Sequence, residues 1–574
     1  MDLMPTGDVL ATTLATEFVP ASNLRGEAAG AAWRYLLPTM EPGRVLCVGR
    51  LPAPTLETLA RESLEVTVVT SARDRVAGTA SDRVHRVAET EAETWLAGRP
   101  DGSLDLVWLG AGVGGAARGV ETAIAGSLAR LLAAGGVVIR EHRGRPGRGE
   151  GSGTTLTADG AGRRTAWVVV RPDDGEIRSA VADGDAAAAQ ALAIRRLDGP
   201  AVRPRFRTTR RLNAVVDRVA GRRLRRRLEV SLPPGTSTMP DPPDYLVACA
   251  ADDGVDLRDW SWALSATGVY NTQKVLGLLM PPGVAEPAMV VKMTRDGSVV
   301  PRLENERDAL RRLATLGMAA DDRIPLVRFA GRHAGLAIVG ESALRGHGFR
   351  AAGGGHGLGP GPADAVDWLT DLATRSARPA AAEDVAAALS DLYRRFVALC
   401  GPEDAVARPL ESAIATIGAS PDAVPLVFQH GDPGTWNLLQ REDGTVAFLD
   451  WENADQAGMP LWDLFYLLRS LAVGAGRRSR TRRRLAAVDR YLFDESPLSD
   501  FFVGSIERYA DRVGLDRSLI EPLFHACWMH QALKEATRVA PGRVRSAHYN
   551  RLLRLGLERR SAPNLRRMFE GSAS

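Results

Sequence analysis

Leu426–Glu452 reads LVFQHGDPGTWNLLQREDGTVAFLDWE. An apolar run leads into His430-Gly431-Asp432, and Asn437 follows five residues after Asp432. Arg441–Gly444 is a short polar turn. A second apolar run, Val446–Leu449, then delivers Asp450-Trp451-Glu452. Apolar runs around a polar turn predict a strand, a loop and a hairpin strand. A chain folded that way converges Asp432, Asn437 and Asp450 on one point.

Two carboxylates and an amide suit phosphoryl transfer, which needs positioning and charge neutralisation more than covalent help. One carboxylate must accept or orient the proton of an attacking hydroxyl, and Asp432 is placed for it. An oxygen-rich pair must hold magnesium, a hard cation that prefers carboxylate and carbonyl oxygens; Asn437 and Asp450 supply one. His430 is read as a brace for the loop through hydrogen bonding.

These motifs resemble the aminoglycoside phosphotransferase and choline kinase family, relatives of the protein kinases. That family carries His-Gly-Asp, four residues, Asn, then a hydrophobic strand ending in Asp. The resemblance implies ATP and Mg²⁺ as cofactors, a hydroxyl-bearing small molecule as acceptor, and catalytic roles for Asp432 and His430. It also implies a β-strand lysine and a helix glutamate that hold ATP. Lys292, in the apolar MVVKM segment, fits the lysine. Of 73 Lys and Arg residues only Lys274, Lys292 and Lys534 are lysines, so a lysine there stands out. Glu306, in Leu303–Leu313 (LENERDALRRL), fits the glutamate, with Glu304 as the fallback. Ala266–Asn271 (ATGVYN) would cover the phosphates through Gly268 and Asn271. Leu336–Glu341 (LAIVGE) would be the hinge strand whose backbone meets adenine. Asp463, in PLWDLFYL, would brace the catalytic loop. The resemblance runs from about Tyr245 to the C-terminus.

The N-terminal part reads differently. Arg44–Val48 (RVLCV), Glu65–Val69 and Leu104–Leu109 (LDLVWL) are predicted strands. Pro54–Arg61 is a predicted helix, and a helix through Ser127–Ala134 should precede Gly135-Gly136 and a strand Val137–Arg140. Strands alternating with helices predict an α/β domain with a mostly parallel sheet. Residues 44–140 resemble a class I methyltransferase. The cofactor signature of that family is missing: Gly49 is followed by Arg50-Leu51-Pro52-Ala53-Pro54, and Val69 by Thr70-Ser71 in place of an acidic residue. Bulk then fills the methionine end of the pocket and the ribose loses a charge-assisted acceptor. The expectation is a degenerate domain that binds no S-adenosylmethionine and scaffolds or recognises a protein partner. Gly110–Gly115 (GAGVGG) follows a later strand and is no dinucleotide site.

The fold class is therefore an α/β Rossmann-like (methyltransferase-like) N-terminal domain plus an α+β bilobal protein-kinase-like C-terminal domain. The expected boundaries are 1–200 for the first, 201–243 for a basic segment and Pro-rich linker, 244–345 for a kinase-like N-lobe and 346–574 for a helical C-lobe. Ser231–Pro243 has five prolines in 13 residues, which bars a regular element. Ala166–Val170 and Glu176–Val181 predict a hairpin. Arg203–Arg227 reads as a partly helical, solvated basic face, and no nucleic-acid partner is expected from it.

The whole chain, 574 residues with net charge +4, is too long for one core. Its four cysteines are far apart, with neither metal nor disulfide spacing. There is no basic n-region with an apolar core near Asp2, Asp8 and Glu17, and no long apolar stretch. A cytoplasmic protein without a membrane partner is expected. Leu461–Ser574 holds 21 basic and 12 acidic residues. A polycationic aminoglycoside would want the reverse, so the expected acceptor is a sugar or sugar derivative, neutral or anionic. The alternatives are a bifunctional methyltransferase–kinase and a non-catalytic pseudokinase.

Overall fold

The computed structural model describes residues 29–49, 51, 53–70, 82–110, 127, 130–142, 164–170, 179–182, 225–231, 242–266, 273–284, 286–349, 359–479, 481 and 483–571. The chain forms two compact units. One, the sheet unit, comprises Arg25–Leu303 and Val327–Ala343; the other, the helical unit, holds Glu304–Leu326 and Leu344–Ser574.

The sheet unit opens with β1 (Arg44–Val48), α1 (Ala53–Glu62), β2 (Glu65–Thr70), β3 (Val84–Ala88), α2 (Ala92–Ala97), β4 (Leu104–Leu109) and β5 (Leu132–His142). The pairs β3–β2, β2–β1, β1–β4 and β4–β5 are all parallel. Apolar runs such as RVLCV suit this, because a parallel strand is covered on both faces. Val45 and Cys47 enter one hydrophobic cluster while Leu46 and Val48 enter another, the period-two split of a strand with two cores.

The structure corrects one expectation here. The chain is already strand at Leu132, where a helix to Ala134 was predicted. Leu104 faces Leu132 but Leu106 faces Val137, so Gly135-Gly136 forms a bulge within β5. Gly135 takes φ 80°, a conformation cheap only for glycine. The end of the basic segment, Arg225–Arg227, belongs to a strand; residues 203–224, where the helical part was expected, lie outside the described residues. Strand β3 and helix α2 were not anticipated at all.

Three antiparallel strands follow, β6 (Arg164–Val170), β7 (Ser179–Ala182) and β8 (Arg225–Ser231). Strands β6 and β7 form the predicted hairpin. After α3 (Asp244–Asp252) come β9 (Ser261–Ser265), β10 (Val275–Met280), β11 (Met289–Met293), α4 (Val300–Thr315), β12 (Val327–His333) and β13 (Leu336–Ser342). Among the described residues one 13-stranded sheet runs β12-β13-β11-β10-β9-β7-β6-β8-β5-β4-β1-β2-β3, with β7 paired to β9. Trp33, Val45, Trp108 and Ile139 share one buried cluster with Tyr245, Trp262, Val291 and Ile338. Each such buried side chain contributes about 1.5–3 kcal/mol. The Tyr245 hydroxyl donates to Tyr35 O, and the Tyr35 hydroxyl to Thr294 O, each at 2.8 Å.

The helical unit is built from β14 (His347–Gly348), α5 (Pro360–Ser376), β15 (Arg378–Ala380), α6 (Ala382–Cys400), α7 (Asp404–Gly418), β16 (Val424–Gln429), β17 (Leu438–Gln440), β18 (Val446–Phe448), β19 (Asp455–Gly458), α8 (Trp462–Arg478), α9 (Arg484–Val488), α10 (Ser499–Val513), α11 (Ile520–Ala536), α12 (His548–Glu558) and α13 (Pro563–Glu570). Two small sheets, β15-β16-β19 and β14-β17-β18, hold the motif region. Helix α11 buries Phe524, Cys527, Trp528, Met529 and Leu533. Among the described residues no helix is long and apolar enough to cross a membrane.

Candidate active site

Strand β16 is buried throughout and ends where the polar loop begins. Gly431 takes φ 77°, and a Cβ there would lie 2.0 Å from Asn453 O; only glycine fits. Asp463, in the first turn of α8, accepts from the backbone N–H of His430 at 2.5 Å and of Gly431 at 3.0 Å. Burial raises its carboxyl to about 7, against the pull of those two donors and of Lys534. Asp463 thus fixes the turn through the backbone.

His430 is fully buried. Its Nε2 lies 2.9 Å from Leu449 O, its Nδ1 accepts from Asp432 N at 3.3 Å, and its ring packs 4.3 Å from Trp451. That network assigns the proton to Nε2 and leaves the imidazole neutral. Burial lowers its pKa to about 4. With both nitrogens engaged by backbone, the ring ties the loop to the end of β18.

Asp432 is held from several sides. Asn437 Nδ2 donates to its carbonyl at 2.9 Å and to Oδ2 at 3.3 Å, and Trp436 Nε1 donates to Oδ2 at 3.4 Å. The Tyr466 hydroxyl also bonds the carboxylate and accepts from the Tyr549 hydroxyl at 2.8 Å. Oδ1 is buried and has no hydrogen-bond partner among the described residues. Burial raises the carboxyl pKa, and Lys534 opposes the rise most strongly.

The hairpin β17–β18 pairs Leu438 with Phe448, and Leu449 N donates to Asn437 O at 2.9 Å. Asp450 then adopts φ 66°, a left-handed conformation that costs a non-glycine residue on the order of 1–3 kcal/mol and collects at functional sites. Trp451 N donates to Glu306 Oε1 at 3.0 Å, and Asn305 Nδ2 to Glu452 O and Ala454 O. The helix glutamate therefore supports the backbone next to Asp450.

The remaining predicted site residues divide. Lys292, on β11, pairs with Glu341, on β13, at 2.9 Å, both nearly buried. Register explains it: Lys292 faces Val339 and Val290 faces Glu341, so the two are diagonal neighbours on one face. Glu341 was expected to act as a hinge residue through its backbone; its carboxylate is an ion-pair partner of Lys292, the lysine that the sequence matched to Glu306. Gly268 and Asn271 lie outside the described residues.

The sequence reading missed three things. Lys534, on α11, donates to Gly431 O at 3.5 Å; lysine scarcity was the available signal and was applied only to Lys292. Trp436 went unread within the motif. Arg469 is buried, bonds His548 Nε2, and lies 5.8 Å and 5.1 Å from the Tyr466 and Tyr549 rings; nothing in local pattern marks it.

The loop carries a carboxylate with one oxygen held and one exposed to no partner, beside an amide and a second carboxylate. Such a set suits phosphoryl transfer, which needs positioning and charge neutralisation more than covalent help. Residues 283–501 match the model of the phosphotransferase enzyme family, and the C-terminal half resembles that family as the motifs implied. No curated protein matches the chain. Similar solved structures include a choline/ethanolamine kinase family protein from Mesorhizobium loti, with 14% identity over 52% of this chain and 88% of that one, TM-score 0.29. The choline kinase LicA from Streptococcus pneumoniae has 15% identity over 50% and 90%, TM-score 0.28. A complex of WbdD with the kinase inhibitor LY294002 has 13% identity over 86% and 88%, TM-score 0.22. The family match supports a kinase-like fold for the C-terminal half and a small-molecule phosphotransferase.

Proposed function

We propose that the C-terminal half transfers a phosphoryl group from ATP to a hydroxyl of a small molecule, a sugar or sugar derivative. The observation that carries this reading is the Asp432 carboxylate. Oδ2 is held by Asn437 and Trp436, while Oδ1 is buried without a hydrogen-bond partner among the described residues. A buried acceptor left open costs free energy unless something donates to it, and the attacking hydroxyl is the donor it awaits. Asp432 orients that hydroxyl and takes up its proton. His430 keeps Asp432 aimed without exchanging protons itself.

Magnesium is assigned to Asn437 and Asp450, because Mg²⁺ binds through one or two carboxylates plus substrate phosphates and waters. Asn437 spends its amide nitrogen on Asp432, which leaves the amide oxygen as donor atom. Bound there, magnesium would neutralise phosphate charge. Lys292, braced by Glu341, is assigned to the ATP phosphates, and Gly268 and Asn271 to the loop over them.

The acceptor is not an aminoglycoside in this reading, since the C-terminal helices are rich in arginine. The N-terminal domain is read as Rossmann-like and methyltransferase-derived, a scaffold or protein-recognition module in a cytoplasmic enzyme. Its parallel order β3-β2-β1-β4-β5 is compatible. Micromolar S-adenosylmethionine binding by calorimetry would replace this with the bifunctional alternative.

The test is magnesium-dependent ATP consumption against a panel of sugars, sugar phosphates and aminoglycosides. Sugars or their phosphates should stimulate it. Stimulation by aminoglycosides alone would overturn the acceptor class, and none by any hydroxyl compound would favour the pseudokinase.

A further inference from the structure

Trp436 is 56% exposed, the largest side chain so presented in the loop that carries Asp432. An exposed indole keeps a flat apolar face open to solvent and to ligand. Its position is nonetheless fixed. The indole lies over Gly434, where an added Cβ would meet Trp436 Cζ2 at 2.3 Å and Cε2 at 2.4 Å. Its Nε1 bonds Asp432 Oδ2 at 3.4 Å, and its ring meets the Tyr466 ring edge-on at 6.1 Å. The segment Asp432-Pro433-Gly434-Thr435-Trp436-Asn437 thus seats a rigid aromatic surface beside the catalytic carboxylate and leaves it open to solvent.

We propose that Trp436 is the binding platform for the acceptor: a pyranose ring lies with its C–H face on the indole and presents a rim hydroxyl to Asp432 Oδ1. The inference rests on the phosphotransferase reading and names the shape of its substrate. A pyranose has a flat apolar face and a hydroxylated edge, matching an indole next to an open carboxylate oxygen. A quaternary ammonium alcohol could also use an indole face. Charge disfavours it: the Lys534 ammonium donates to Gly431 O, and the buried Arg469 guanidinium lies over the neighbouring Tyr466 and Tyr549 rings. Those cations suit a neutral sugar or one that carries phosphate.

The experiment uses the full chain labelled with fluorotryptophan, with the Trp436 signal assigned by its loss in Trp436→Phe. With Mg-ADP bound, the protein is titrated with methyl hexosides, hexose phosphates and choline, and ligand-observed NMR gives affinities for Trp436→Phe and Trp436→Ala. At least one hexose probe should move the Trp436 signal. Trp436→Ala should weaken its binding about 10- to 100-fold, as expected for loss of an aromatic anchor, while Trp436→Phe, which keeps a ring, should lose only a few-fold. The proposal is overturned if no hexose probe moves the signal while Mg-ADP binds, if choline alone moves it, or if Phe and Ala weaken binding equally, which would reduce Trp436 to its N–H bond. Absence of Mg-ADP binding or of ATP consumption would instead contradict the phosphotransferase reading.

Discussion

The loop from His430 to Asp463 and the parallel strands β1–β5 both join buried apolar strands to polar chain, yet they spend polarity differently. In the loop the buried polar side chains face inward and hold one another's backbone: His430 on Leu449, Asn437 on Asp432, Asp463 on His430 and Gly431. In the parallel strands the ion pairs Arg44–Asp105 and Arg99–Glu65 sit at the rim, over apolar interiors. A satisfied buried polar network rigidifies the chain and specifies its geometry. Rim ion pairs order strand ends. The contrast sets a buried polar network, where the proposed chemistry resides, against apolar strands whose polar pairs lie at the edge.

The largest effect should come from the metal set. Asp450→Ala and Asn437→Ala are expected to reduce phosphoryl transfer by ~10²–10⁴-fold, magnitudes typical of removing a positioned charge or ligand. Steady-state ATP consumption across magnesium concentrations checks this. Substitution of Arg44 should leave transfer unchanged; a matching loss there would erase the contrast.

Next is the buried pair in the sheet unit. Lys292→Met takes one cation away from the buried Glu341 carboxylate, and breaking a buried pair costs about 3–5 kcal/mol. Lys292→Met with Glu341→Leu should recover most of that stability without recovering transfer. Denaturant titration reads the first quantity and ATP consumption the second. Recovery of both would make the pair purely structural.

The pH dependence of stability separates the loop further. His430 has a folded pKa of about 4 against 6.5 unfolded. A depressed folded value means the contribution is present above pH 6.5 and is lost as pH falls toward 4. For this fully buried ring it is on the order of 3 kcal/mol. His548 is depressed to about 3 by burial and then by Arg469, and acts in the same direction. Asp463 opposes them: raised to about 7, it contributes stability below its unfolded pKa, lost as pH rises through 7. His430→Gln should flatten the acid limb of a denaturation–pH series and Asp463→Asn the neutral limb. Unchanged limbs would contradict the burial assigned to each.

The smallest effect belongs to the rim. Arg44→Ala removes a pair in which both side chains are about a third exposed, and is expected to cost under about 1 kcal/mol. A loss of several kcal/mol would show that the rim contacts carry the fold.

Legibility in the sequence followed the range of the interactions. The geometry of the loop was readable because Asp432, Asn437 and Asp450 lie within one strand-loop-hairpin, whose spacing lets them converge. Strands such as RVLCV and LDLVWL were readable because burial on both faces demands unbroken apolar runs. Strand β3 was not, since VHRVA buries only Val87 and so shows no apolar run. The bulge at Gly135-Gly136 looked like a helix end because glycine serves both. Glu341 and Lys534 reach their partners through sheet register and helix packing, which no local pattern encodes. The continuity from β5 through β8, β6 and β7 to β9 depends on pairing among segments far apart in the chain.

The central claim is that Asp432 serves the acceptor hydroxyl. Its most direct test is phosphoryl transfer from Mg-ATP by wild type and Asp432→Ala, with nucleotide affinity measured alongside. Asp432→Ala should bind Mg-ATP nearly as wild type and transfer at least ~10²–10⁴-fold more slowly, the range for loss of a positioned acid–base group. Equal transfer rates at equal nucleotide affinity would contradict it.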